Sequence, residues 1–227
     1  MKELYFAFAI FCAICTHAQD KAKPKVNRVA VGLHAGLNYS KFRGYVNSDP
    51  GSLEERRGIG YLAGFHTNYR LTDELSLRLE LNYERKSQHG DNTIHISGNP
   101  ANTFSTYKFS SNRNSDYFIV PLMAKYVFTP KSKLFVTGGI YYGHLLQSDI
   151  VRTGSLPPGL ESETDTSDAN RQKDSGLVLG MGKDISIGKN TLSIEIRQNM
   201  GMTNTSNSKL YNVKTNSLGL IVGFAMN

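Results

Sequence analysis

Two cysteines and no tryptophan occur in the 227 residues. Both cysteines, Cys12 and Cys15, sit in one apolar run at the N-terminus. If that run is removed on export, the remaining chain has no disulfide and no thiol nucleophile. Beyond it, no stretch approaches the roughly 20 consecutive apolar residues that a membrane helix requires. Mean hydropathy is −0.35. These shortages exclude a helical membrane bundle, but not a strand-built membrane protein, whose apolar residues are diluted by alternation with polar ones. Clustered positive charge is missing too. The net charge of +7 is scattered along the chain, which argues against nucleic acid. It leaves anionic lipid and lipopolysaccharide phosphate as the polyanions this surface could meet.

At the N-terminus, Lys2 precedes an apolar run from Leu4 to Cys15, followed by Thr16-His17-Ala18. A short charged region, an apolar region and a small residue before the cut are the parts of a signal peptide. Residues 1–18 are therefore expected to be a signal peptide, cleaved between Ala18 and Gln19, and residues 19–28 a short periplasmic segment. A retained anchor helix is the alternative, but the run is short for a span. Lipid attachment at Cys15 would call for a small preceding residue, and Ile14 stands there.

From residue 29 onward the chain shows period-two alternation and no sustained helical period. The plainest segment is 75–83, with Leu75, Leu77, Leu79, Leu81 and Tyr83 on one face and Ser76, Arg78, Glu80 and Asn82 on the other. Similar segments occur at about 29–39, 59–71, 117–128, 133–146, 175–187, 191–202 and 217–226, making eight strands. Alternation alone fits a soluble sheet with leucine in its core as well as a membrane sheet with leucine in lipid.

Loop lengths separate these readings. The links after strands two, four and six are short: Thr72-Asp73, residues 129–132, and Gly188-Lys189-Asn190. The links after strands one, three, five and seven are long and polar, spanning about 40–58, 87–116, 147–174 and 203–216. Short periplasmic turns and long external loops are the asymmetry of an outer-membrane barrel. Aromatic residues fall at strand ends. Tyr39, Tyr61, Tyr83, Phe118 and Tyr142 lie near the outer ends, and Tyr69, Tyr126 and Phe128 near the inner ends, as interface girdles require. The expected fold is an all-β, eight-stranded antiparallel up-and-down transmembrane β-barrel over residues 29–227, monomeric, in the outer membrane.

Four segments carry a resemblance. Asp116-Tyr-Phe-Ile-Val-Pro-Leu-Met-Ala-Lys-Tyr126, Phe135-Val-Thr-Gly-Gly-Ile-Tyr141, Gly176-Leu-Val-Leu-Gly-Met-Gly182 and Arg197-Gln-Asn-Met-Gly-Met-Thr203 together resemble the PorT-like outer-membrane β-barrel family of Bacteroidetes. The resemblance implies an eight-stranded barrel in a Gram-negative outer membrane. It also implies a possible place in envelope or secretion complexes, since the founding member is linked to protein secretion and gliding. It carries no active site. Such barrels commonly end on an aromatic residue, whereas this chain ends Phe224-Ala-Met-Asn227. Pro121 cannot donate to a ladder, so a local bulge is expected there.

In this register Arg78, Glu80, Asn82, Glu84, Glu195 and Arg197 face the lumen. An eight-stranded interior is just wide enough to be filled by side chains, and buried charges need partners. A salt-bridged plug is the expected arrangement, with a narrow ion path as the alternative. His89, Asp91 and His95 could ligate a metal, but nothing fixes them in a loop rich in serine, asparagine and glycine. Glu161, Glu163, Asp165 and Asp168 lack the spacing and the glycine of a calcium loop. Gly180 and Gly182 lie mid-strand, without the turn and helix of a nucleotide loop, and read as relief in a crowded interior. His34, His66 and His144 join no catalytic motif, and no cofactor is expected.

The leading functional expectation is a non-enzymatic barrel acting through its long external loops in binding, or as an accessory component of an envelope or secretion complex. The alternative is a narrow, porin-like channel for small solutes. A third, a soluble lipocalin-like barrel, would invert the polarity, and the missing tryptophan removes a residue usual near the start of that fold.

Overall fold

A computed structural model describes residues 28–45, 54–98, 103–129, 132–167, 171–207 and 212–226. The expected signal peptide, most of the 19–28 segment and Asp168 lie outside the described residues. Among the described residues nine strands are present: β1 (Val29–Tyr45), β2 (Glu54–Arg70), β3 (Leu75–Gly98), β4 (Thr103–Val127), β5 (Leu134–Gly154), β6 (Glu163–Asp165), β7 (Lys173–Ile187), β8 (Asn190–Gly201) and β9 (Asn212–Met226). Eight of them close a ring, because β4 pairs with β5 and β1 with β9. The short β6 only lines the outer part of β5.

The ring is staggered. Passing from strand to strand across paired residues, Val31 leads through Thr67, Leu79, Leu122, Ile140, Leu177, Met200 and Asn216 to Lys41. The path returns to β1 ten residues further on. A shear of ten across eight strands, at ~3.3 Å per residue and ~4.8 Å between strands, tilts the strands by about 40°.

Side-chain placement decides between lipid and soluble core. Leu33, Leu37, Phe65, Leu79, Leu122, Ile140, Leu179, Ile196 and Leu220 all point outward and are exposed. Arg78, Glu80, Lys86, Asp174, Glu195 and Arg197 are buried inside the ring. Such an apolar exterior is far larger than a soluble monomer carries, and it is the lipid-facing band of a membrane barrel. The two-residue link at Gly188 and Lys189 is tight, and Gly188 takes a positive φ of 62°, which glycine accommodates without a Cβ clash.

Two expectations need correction. The segment 87–116, read as a loop, is mostly strand: β3 and β4 stay paired from Ser87↔Asn114 out to Gly98↔Thr103. Residues 147–154 likewise continue β5. These extensions are mostly polar, with apolar residues such as Ile94, Ile96 and Phe109 too sparse to sustain an apolar period, and backbone pairing carries the strand outward. The second correction concerns Pro121. Leu79 faces Leu122 and Asn82 faces Ile119, the same register on either side of Pro121. The proline interrupts the ladder toward β3 without inserting a residue. The register shifts lie elsewhere, between Asp116 and Tyr117 against β5 and between Arg57 and Leu62 against β3.

Candidate functional site

The lumen is the candidate site, because each strand delivers its polar parity to it. At mid-height β3 and β8 face one another. Arg197 donates from Nη1 to Glu80 Oε2 at 2.6 Å and from Nη2 to Glu80 Oε1 at 2.8 Å. Its Nε and Nη2 also donate to the two Glu195 oxygens at 3.0 and 2.9 Å. Arg78 Nη1 donates to Glu195 Oε2 at 2.9 Å, and its Nε to Asn68 Oδ1 at 3.0 Å. Thr137 donates to the other Glu195 oxygen at 2.8 Å, and Asn82 to Glu80 at 2.9 Å. Paired, multidentate contacts of this kind are the strong class of hydrogen bond. Gly180 makes room for them: a Cβ there would come within 2.4 Å of both Glu195 Oε1 and Thr137 Oγ1.

Toward the outer end, Glu84 accepts from Asn38 at 3.1 Å, Ser217 at 3.0 Å and Asn199 at 3.4 Å. Thus five of the six polar lumen residues picked from parity join at mid-height, and Glu84 lies in a layer above them. That layer centres on an ion pair not anticipated from sequence, Lys86 Nζ to Asp174 Oδ2 at 2.8 Å. Lys86 also sits over the rings of Tyr117 and Tyr141, 5.1 and 5.2 Å from their centres. Near the inner end, Lys125 Nζ bonds both Asp184 oxygens, at 2.8 and 2.6 Å, and lies 3.9 Å from the Phe135 ring centre. Strand parity already marked Lys86, which extends the row Arg78, Glu80, Asn82, Glu84. What could not be read was its partner, 88 residues away.

The wall formed by β4, β5 and β7 is different. Tyr117, Ile119, Met123, Tyr141, Leu145 and Val178 form a buried apolar cluster inside the barrel. The lumen is thus filled mainly by polar and charged side chains, with hydrocarbon packed along one wall. His34 and His66 come together beside Glu80, with their Nδ1 atoms 3.2 Å apart and His34 Nε2 3.4 Å from Glu80 Oε2. His144 is exposed on the other face of its strand.

The external candidates resolve as local clips. His89 Nε2 lies 3.4 Å from Asp91 Oδ1, and Ser110 donates to the same oxygen at 2.8 Å. The carboxylate sits between hydroxyl and imidazole, whereas a catalytic relay needs the imidazole in the middle. The Ser110 hydroxyl holds the Asp91 carboxyl below the usual carboxylate range, with His89 and Arg56 adding to the effect. His95 is bonded instead to Thr106 across the hairpin. Asp165 accepts from the Ser167 backbone at 2.8 Å. Among the described residues, no three histidine, cysteine or acidic side chains are placed to hold a metal.

A closed, sheared ring with an apolar exterior and a polar, packed lumen defines an integral outer-membrane β-barrel. The chain belongs to the family described as outer membrane protein beta-barrel domain, whose model matches residues 17–207. It resides in the outer membrane. Among curated proteins none matches significantly. Similar solved structures include the Neisserial surface protein A, at 16% identity and TM-score 0.43, covering 88% of this chain and 97% of that one. Another is Ail, the attachment invasion locus protein of Yersinia pestis in complex with the heparin analogue sucrose octasulfate, at 10% identity and TM-score 0.40, covering 88% and 99%. A third is the outer membrane protease OmpT from Escherichia coli, at 10% identity and TM-score 0.41, covering 91% and 98%.

Proposed function

We propose that this is a non-enzymatic barrel with a plugged lumen, which uses its external β3–β4 hairpin to bind a protein of the cell envelope as an accessory component of an envelope or secretion complex. The hairpin is the observation that carries the reading. It stays in register for thirteen residue steps beyond Arg85↔Asp116, about 40 Å along the strands. A paired arm presents its side chains at lower ordering cost than a flexible loop would. Ile94 and Ile96 are exposed on it, well outside the membrane band. The PorT-like strand segments support the same assignment.

The narrow-channel alternative is disfavoured by the lumen itself. Arg78, Glu80, Glu195 and Arg197 are each no more than 3% exposed and bond one another across the bore. Chemistry is disfavoured because the buried carboxylates and cations there are committed to structural partners.

The experiment is photo-crosslinking in intact cells from probes at positions 94 and 96. It is paired with a variant whose residues 89–112 are replaced by a two-residue turn. The expected result is a discrete envelope-protein adduct that Ile94→Asp with Ile96→Asp abolishes, while the barrel keeps its heat-modifiable gel mobility. Absence of any adduct, or an adduct indifferent to the substitutions, overturns the hairpin's role. Stable conductance steps from the wild-type protein in planar bilayers would overturn the plug.

A further inference from the structure

At the outer rim, β8 stops at Gly201, while its neighbour β9 reaches out to Asn212 and β1, on the far side of β9, to Tyr45. A cleft of about 540 Å³ opens beside this rim, lined by Lys41, Arg43, Gly44, Met200, Gly201 and Lys214 among others. Lys41 and Arg43 share the outward face of β1 with Tyr39, the last aromatic residue of the lipid band on that strand. At ~3.3 Å per residue and about 40° of tilt, they stand roughly 5 and 10 Å above Tyr39. Headgroup phosphates lie at that height, directly above an aromatic girdle.

These cations differ from Arg85 and Arg57, which also lie near the rim. Arg85 is held by Asp116 at 2.6 Å, and Arg57 donates to Tyr39 O and Asn216 Oδ1 at 3.0 and 2.9 Å. Lys41, Arg43 and Lys214 have no carboxylate within ion-pair distance among the described residues. Arg43 also stands directly opposite Lys214 on the β1–β9 ladder, and both are exposed. Like charges in cross-strand register are destabilising. An anion seated between them turns that repulsion into a bidentate site.

We infer that this cleft binds a phosphate of an outer-leaflet glycolipid of the lipid A type. Below the cleft, Leu37, Leu218 and Leu220 form an exposed apolar face on the same two strands, where acyl chains attached to such a phosphate would lie. The site lies outside the lumen charge network; the β3–β4 hairpin meets the inward side of the same stretch of β1, where Phe42 N–H donates to Gln88 Oε1 at 2.6 Å and Arg113 lies 5.0 Å from the Phe42 ring centre.

The test is binding of diphosphorylated lipid A to the purified barrel in neutral detergent, read by native mass spectrometry. Dephosphorylated lipid A and phosphatidylglycerol are the comparison ligands. Arg43→Ser with Lys214→Ser is expected to weaken lipid A binding about thirtyfold. Lys108→Ser with Lys183→Ser, an equal loss of charge away from the cleft, is expected to leave it unchanged. Heat-modifiable mobility shows that each variant is folded. Equal binding by wild type and the Arg43/Lys214 variant overturns the site. So does equal weakening by both pairs, or wild-type binding to either comparison ligand as tight as to lipid A.

Discussion

Replacing Arg197 by methionine tests whether the lumen is a closed, dry network. Arg197 is 3% exposed and makes four hydrogen bonds to two carboxylates. Without it, Glu195 keeps Arg78 at 2.9 Å and Thr137 at 2.8 Å. Glu80 is left with Asn82 at 2.9 Å, His34 Nε2 at 3.4 Å and Arg78 Nε at 3.7 Å. Stranding one buried charge costs about 3–5 kcal/mol. Adding Glu80→Gln removes that charge, so the double variant is expected to be more stable than Arg197→Met alone. The assay is urea unfolding in lipid vesicles, followed by circular dichroism and heat-modifiable mobility, since the chain has no tryptophan to report by fluorescence. A loss below about 1 kcal/mol for Arg197→Met, the scale of a solvated ion pair, would show that water reaches Glu80. The plug argument would then fail.

Two further outcomes follow from the exterior and the hairpin. Leu79→Arg places a charge on the lipid face between Leu77 and Leu81 and is expected to cost about 2–4 kcal/mol in vesicles; unchanged vesicle unfolding would contradict the lipid-facing assignment. Asp91 has its folded-state carboxyl pKa depressed, chiefly by the Ser110 hydroxyl. Its support of the hairpin is therefore fully present above the ordinary aspartate pKa and is lost as pH falls through the lower, folded value. A carboxyl titration followed by NMR should place Asp91 below the ordinary aspartate value, and Ser110→Ala should move it upward; an unmoved midpoint would refute the clip.

Much of the barrel is written locally. Each strand's alternation sends residues such as Leu79 outward and Glu80 inward, and the short links at Thr72-Asp73 and Gly188-Lys189 set which ends are periplasmic. The glycines of β7 read correctly as relief of crowding, because period two alone places Gly180 in the bore. The outer half of the β3–β4 hairpin was not legible. Ser110, Ser111, Asn112 and Asn114 carry no apolar period, and turn-forming residues in a polar segment look alike whether paired or free. Pro121 misled for a related reason: the missing donor was visible, but not the unbroken register that accommodates it.

By itself the sequence determined the architecture, the face each side chain takes and the membrane it suits, because a two-residue period and the loop-length asymmetry are properties of neighbouring residues. Only the tertiary structure decided who meets whom. The pairs Arg197 with Glu80 and Lys86 with Asp174, 117 and 88 residues apart in the chain, form because a shear of ten sets the height at which each strand crosses the bore. The same stagger brings Arg43 opposite Lys214. Shear is a property of the closed ring, summed over eight pairings, and no single strand carries it.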